Sequence, residues 1–248
     1  MSNENMNLSL VIPAYNEAAR LPRFLESVRE YLVAHYPESH EAIVVDDGSS
    51  DNLEPILQQF AVGWPQLRWI RHAQNQGKGA AVRTGVAASR GRLVLFADAD
   101  GATAISEEAR LAAAIHAGAD VAIGSRLAAT DHARRSRTWL RGLAGRCFAA
   151  LARQMLRLPI RDTQCGFKMF RGEAGRQLFA EVHEQGYLFD LELLALASRL
   201  GYQIAEIPVT WTEIPGSHLS LSRDFLRILV NLWRLRARLA RMAPRLAV

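Results

Sequence analysis

Two carboxylates separated by one small residue, Asp98 and Asp100 around Ala99, follow the apolar run Leu93–Ala97. On extended chain, side chains two positions apart project to the same side. Carboxylates so placed repel each other unless a cation lies near them. Hard oxygen ligands suit Mg²⁺ or Mn²⁺, and such an ion also holds diphosphate oxygens. The plainer alternative is a solvated acidic turn. Other polar groups recur at equivalent places. Pro13-Ala14-Tyr15-Asn16-Glu17 follows Leu8–Ile12, and Asp46-Asp47-Gly48-Ser49-Ser50-Asp51 follows Ala42–Val45. His72, then Asn75-Gln76-Gly77-Lys78-Gly79, follows Leu67–Ile70, and Gly124-Ser125-Arg126 follows Asp120–Ile123.

Each of these groups has a chemical and a structural reading. Asp47 can accept a hydrogen bond from a base imide or a ribose hydroxyl. It can also serve a turn, with Asp51 capping the next helix. Gly77-Lys78-Gly79 opens a small-residue helix whose N-terminus can face phosphates. It is not a Walker A loop, because His72 stands where the first glycine belongs and Gly79 replaces the Ser or Thr. Asp162-Thr163-Gln164-Cys165-Gly166-Phe167 either lines a pocket or is an ordinary loop. Asp190 and Glu192 begin a helix, where the helix dipole favours acids whether or not they do chemistry. The histidines show no ligand spacing, and Cys147 and Cys165 read as packing residues.

The elements that must position these groups alternate. Besides the four strands above, Leu93–Ala97 is a fifth. Helical spacing covers Leu21–Val33, Lys78–Ser89 and Glu107–Ala117. Short apolar strands alternating with helices predict an α/β fold, a mainly parallel sheet covered on both faces. Ligands in such sheets bind beyond the carboxyl ends of the strands, where all five polar groups fall. The second half predicts helices over Trp139–Leu156, Leu191–Leu200 and Asp224–Arg241, with strands at Phe167–Phe170 and Ile204–Val209.

The 248 residues, 49% hydrophobic and 22% charged, are enough for one α/β domain and exclude disordered and disulfide-rich classes. Two cysteines outside any CxxC pair fit a reducing, cytoplasmic setting. No signal peptide or apolar 18-residue span is evident. The net charge of +5 is uneven. Arg126–Arg161 holds nine arginines against Asp131, and from Arg223 onward seven stand against Asp224. Such basic stretches imply an anionic partner. The final helix mixes Leu, Ile and Trp233 with arginines, the pattern of a helix lying on anionic lipid or docked on the core. This divides the chain into a catalytic domain, 1–221, and a basic amphipathic helix, 222–248.

VIPAYNEAARLP, VVDDGSSD, NQGKGAAVRTG, LFADADGAT and GSR, in this order, resemble family 2 of the inverting glycosyltransferases, with the GT-A fold. RDTQCGFKMF, GYLFDLELL and VTWTEIPGSHLSL are similar to the dolichyl-phosphate β-glucosyltransferases and related polyprenyl-phosphate enzymes. The resemblance implies that Pro13, Ala14, Tyr15 and Glu17 border a nucleotide-sugar donor, with Lys78, Ala99 and Gln164 also lining it. Asp47 would contact the base, as uracil, and Asp98 and Asp100 would hold the metal. Arg126, Arg135, Arg137 and Arg141 would receive the phosphate of a polyprenyl phosphate acceptor. Asp190 and Glu192 would act as base or acceptor-positioning groups. Related mannosyl enzymes often carry Gln where this chain has Ala102, which favours UDP-glucose over GDP-mannose. The eukaryotic glucosyl enzymes carry an N-terminal membrane anchor with no counterpart in these residues. The expectation is therefore a peripheral enzyme at the cytoplasmic face of a membrane, with no nucleic-acid partner. A nucleotidyltransferase would need a glycine-rich basic loop after the first strand, and a non-enzymatic membrane module would leave five loaded strand ends unexplained.

Overall fold

The computed structural model describes residues 6–126, 152–156, 158–212, 214 and 221–241, with side chains of the last helix from 230 to 240. In chain order the elements are β1 (Leu8–Ala14), α1 (Leu21–His35), β2 (His40–Asp46), α2 (Leu53–Gly63), β3 (Leu67–Arg71), α3 (Lys78–Ala88) and β4 (Leu93–Ala97). A 3₁₀ turn, Ile105–Glu107, runs into α4 (Glu108–His116), followed by β5 (Val121–Ser125) and a short helical segment at 152–156, α5. Then come β6 (Phe167–Arg171), α6 (Gly172–Glu181), α7 (Phe189–Arg199), β7 (Ile204–Pro208) and α8 (Leu221–Arg241).

The strands form one sheet in the order β3-β2-β1-β4-β6-β5-β7. Every pairing is parallel except the two made by β6. Strand residues divide by parity between two cores. Leu10, Ile12, Val44 and Leu95 pack with α1, α2 and α4. Val11, Ile43, Val45, Val94 and Phe96 pack with α3, α6 and α7. Burial on both faces is why these strands read as continuous apolar runs rather than alternating ones.

Three features depart from the sequence expectation. Helices α2 and α6 carry weak signals: α2 buries only Leu53 and Leu57, and α6 contains Gly172 and Gly175. The third is the antiparallel β6, inserted between β4 and β5. Most of the helix expected over Trp139–Leu156, together with Arg135, Arg137 and Arg141, lies outside the described residues.

This topology sets the site. The chain runs outward from β1 to β2 to β3, then returns to pair β4 on the other side of β1. That reversal opens a crevice at the carboxyl ends of β1 and β4. Because β6 is antiparallel and Phe167 pairs with Ala97, the loop leading into β6, residues 162–166, arrives at the same edge.

Candidate active site

The loops after β1 and β2 are laced together. Asn16, in the left-handed region at φ 55°, donates its N–H to Ser49 Oγ at 3.0 Å and accepts from Ser50 N–H at 2.9 Å. The Ala18 N–H donates to Asp51 Oδ2 at 2.8 Å. Asp51 therefore ties the β1 loop and does not cap α2, whose N-cap Asn52 makes no side-chain cap bond. Pro13 and Ala14 are buried at the end of β1, whereas Tyr15 is half exposed. Glu17 pairs with Arg20.

Asp47 ties the β2 end to the loop before α3. Its side chain is buried. Oδ1 accepts from His72 Nδ1 at 2.7 Å and from Gln76 N–H at 2.9 Å, and Oδ2 accepts from Gly77 N–H at 2.8 Å. The carboxylate thus holds the 72–77 loop in place. Gly77 itself needs φ +100°, and a Cβ there would lie 2.5 Å from Gln185 O. The start of α3 is not a free phosphate cradle either, since Gly79 and Ala80 donate to Gln185 O at 2.7 and 3.3 Å.

The paired carboxylates sit at the crevice. β4 ends at Ala97, so Asp98 and Asp100 lie on a turn rather than on extended chain. Ala99, 4% exposed, is packed into the core, which turns its neighbours outward. Its methyl is therefore a core anchor. Asp100 Oδ1 accepts from Ala102 N–H at 3.0 Å. Arg20 is held above its ordinary pKa first by its hydrogen bond to Glu17, with the charges of Asp100 and Asp98 adding to it. Lys78 Nζ lies 2.6 Å from Asp98 Oδ1 and 5.4 Å from the Phe96 ring centre. Burial works against its charge, but Asp98 and Asp190 outweigh burial and raise its pKa.

Gly166 closes the other side of Asp98. Its carbonyl accepts the Asp98 N–H at 2.9 Å, and a Cβ on Gly166 would lie 1.9 Å from Asp98 Oδ2. Among the described residues no three His, Cys, Asp or Glu side chains converge as a cage. A divalent cation here would take Asp98 and Asp100 and complete its shell with ligand or water oxygens, as Mg²⁺ and Mn²⁺ do. Asp98 Oδ1 already faces a cation, Lys78 Nζ at 2.6 Å, which fits that use.

Beneath lies Asp190, at the start of α7 and 4% exposed. Lys168 Nζ donates to its Oδ1 at 2.6 Å. Burial raises the Asp190 pKa, while Lys168 and Lys78 oppose the rise. Glu192, the other acid of the segment, is held by partners on two sides. Its Oε2 accepts the His183 and Glu184 N–H groups, and its Oε1 pairs with Arg238 of α8. Arg126 makes a two-pronged pair with Asp162, Nε–Oδ2 and Nη2–Oδ1 each at 2.8 Å, and stacks 5.6 Å from Trp211. Burial disfavours its charge, yet Asp162 outweighs burial and holds its pKa up. Arg126 thus positions the 162–166 loop, which carries the half-buried Gln164. Cys165 is buried, and its thiol is pushed up to about 11 by burial first.

The structure thus gathers Lys78, Asp98, Asp100 and Asp190 around one crevice. Sequence reasoning passed over Lys168 and Arg20. A lone charge inside Phe167-Lys168-Met169-Phe170 was the available signal for Lys168, since such a strand position ordinarily holds a core hydrophobe.

The sequence pattern of Glycosyl transferase family 2 matches residues 9–179. The dolichyl-phosphate beta-glucosyltransferase of Saccharomyces cerevisiae is 38% identical, over 93% of this chain and 74% of its own length. The Homo sapiens protein of the same name is 36% identical, over 92% and 78%. Among solved structures, the mannosyltransferase PcManGT of Pyrobaculum calidifontis, in complex with GDP-Man and Mn²⁺, superposes with TM-score 0.64 at 18% identity, covering 96% of this chain and 66% of that one. Glucosyl-3-phosphoglycerate synthase of Mycobacterium tuberculosis, with Mn²⁺, UDP and phosphoglyceric acid, gives TM-score 0.67 at 22% identity, covering 93% and 78%. These structural likenesses speak to the fold.

Proposed function

The chain belongs to glycosyl transferase family 2, and from that premise we propose that it moves glucose from UDP-glucose to the phosphate of a polyprenyl monophosphate at a membrane surface. The observation that carries this reading is the seating of the 162–166 loop, through Gly166, against the Asp98 carboxylate at the β1–β4 crevice. That loop belongs to the segment that most resembles the polyprenyl-phosphate enzymes, and it is placed where a donor diphosphate would lie.

The reaction is a single displacement with inversion. An acceptor phosphate oxygen forms the new bond to the anomeric carbon as the bond from that carbon to UDP breaks and its electrons pass to the β-phosphate. The second pKa of a phosphate monoester is near 6, so the nucleophile is largely charged at neutral pH and needs little help from a base. A bound Mg²⁺ or Mn²⁺ supplies charge neutralisation to the departing diphosphate. Asp98 and Asp100 would hold that ion. Lys78, beside Asp98, would add positive charge toward the diphosphate. Asp190 accepts the remaining proton of a singly ionised acceptor or fixes the acceptor's position. Tyr15 borders the nucleotide. Arg126 supports the loop beside the acceptor, with Arg135, Arg137 and Arg141 receiving the lipid phosphate.

Association is peripheral in this reading, at the cytoplasmic face. Among the described residues no helix is long and apolar enough to cross a membrane. In α8, Leu232, Leu235 and Leu239 are buried, while Val230 and Trp233 stand exposed with Arg234 and Arg236 beside them. A helix with apolar and arginine residues on its outer side suits an anionic lipid surface.

UDP-glucose, UDP-N-acetylglucosamine and GDP-mannose, each offered with one polyprenyl phosphate and Mn²⁺, test the assignment. UDP-glucose should be consumed, and Asp98→Asn should abolish both turnover and Mn²⁺ binding measured by electron paramagnetic resonance. Turnover of GDP-mannose alone would end the glucosyl reading.

A further inference from the structure

Lys168 is fully buried, at 0% exposure, in a strand whose other buried residues are Phe167, Met169 and Phe170. It stands opposite Phe96 across the β4–β6 pairing, with Nζ 5.8 Å from the Phe96 ring centre. Its ammonium donates to Cys165 O at 2.5 Å and to Asp190 Oδ1 at 2.6 Å. The same side chain therefore grips the loop that presses Gly166 on Asp98 and the first turn of α7. A strand in this position ordinarily carries a hydrophobe, and a buried ion pair is often matched or bettered in stability by well-packed apolar residues. A staple for the loop would need only a neutral donor to Cys165 O. A full positive charge is required only if the carboxylate it faces must stay ionised in a buried place.

We propose that Lys168 is a positioning residue for sugar transfer: its buried ammonium orients the Asp190 carboxylate at the floor of the crevice and keeps it ionised. This rests on the reading of Asp190 as the group that meets the acceptor. The charged groups facing Asp190 are Lys168 from β6, Lys78 from α3 and Asp98 from the end of β4. Lys78 is already committed to Asp98 at 2.6 Å, and Asp98 repels Asp190. Lys168 is thus the cation bonded directly to it. Removing Lys168 leaves Asp190 buried with only the more distant charge of Lys78 to offset burial and the repulsion of Asp98, so its pKa moves up and it is protonated over a wider acidic range. A protonated Asp190 cannot take a proton from the acceptor or hold it as an anion would.

The test is the pH dependence of kcat with UDP-glucose, a polyprenyl phosphate and saturating Mn²⁺. Lys168→Met should lose about 10- to 100-fold in kcat at neutral pH, with the acidic limb displaced to higher pH and activity recovering on the alkaline side. Lys168→Arg, which keeps the charge, should keep the wild-type limb even at some loss of melting temperature. A Lys168→Met protein with a lowered melting temperature but an unmoved limb would make Lys168 a structural staple and overturn the proposal. Should Lys168→Met not fold, a displaced limb in Lys168→Arg overturns it equally, and an unmoved one supports it. Asp190→Asn separates the two readings. Wild-type turnover in that variant sinks the role of Asp190 itself. Slow turnover there, with Lys168→Met behaving as wild type, sinks only the inference about Lys168.

Discussion

The acids of this site divide by partner rather than by type. Asp47 and Asp51 accept backbone N–H groups and Glu192 accepts two while also pairing with Arg238, whereas Asp98, Asp100 and Asp190 face cations around the crevice. Asp162 stands between the two groups. Its bonds to the Arg126 guanidinium and N–H overcome burial and hold its pKa below the ordinary value. A depressed carboxylate pKa contributes stability that is present above the unfolded pKa and lost as pH falls through the folded one. Asp162→Asn should therefore cost about 2 kcal/mol at neutral pH, because it strips a largely buried arginine of its counter-charge. The gap in melting temperature from wild type should narrow as the pH drops below the carboxylate range. A gap that stays constant from neutral to strongly acidic pH would show that the pair contributes no charge-dependent stability.

Among the elements, the loop into β6 carries the most weight. The antiparallel course of β6 brings residues 162–166 beside the end of β4, and Gly166 lies so close to Asp98 that a methyl group would collide with either carboxylate oxygen, at 1.9 and 2.6 Å. Relief requires Asp98 or the loop to move. A displacement of about 1 Å in a positioning group can cost about 100-fold in rate. Gly166→Ala should fold with a melting temperature near wild type and lose about that factor in kcat/KM, with weakened Mn²⁺ binding. Full activity in a folded Gly166→Ala protein would show that Asp98 has no need of this wall.

The whole molecule has a net charge of +5, with arginines gathered in its second half. Helix α8 docks through Leu232, Leu235 and Leu239 and through Arg238 on Glu192, leaving Trp233 66% exposed. Glu192 also holds the Glu184 N–H, next to Gln185, whose carbonyl caps α3 beside Lys78. Helix α8 and the β1–β4 crevice are thus joined by a short run of contacts. Wild-type protein should float with vesicles containing anionic lipid and less so with neutral ones, and the bound fraction should fall as salt screens the arginines. Replacing Trp233 with Ala and Arg234 and Arg236 with Glu should reduce flotation severalfold while leaving the melting temperature within a few degrees of wild type. Equal flotation of this variant and the wild type would remove α8 from the membrane contact.

The sequence by itself determined the parallel α/β frame, the polar edge and the paired aspartates at the end of β4. Those features are local: apolar runs long enough for a two-sided strand, each broken by residues that a core cannot hold. It also marked the family through VVDDGSSD, LFADADGAT and RDTQCGFKMF. Tertiary structure decided which acid does what. Asp47 follows a strand and Glu192 opens a helix, and the partners that hold them, Gly77 and Arg238, lie 30 and 46 positions away. Lys168 and Asp190 are 22 positions apart and belong to different elements. The antiparallel insertion of β6 was equally hidden, since strand direction leaves no trace in a five-residue apolar run. A carboxylate is committed by whichever donor the folded chain places within about 3 Å, and no local pattern of residues encodes that distance.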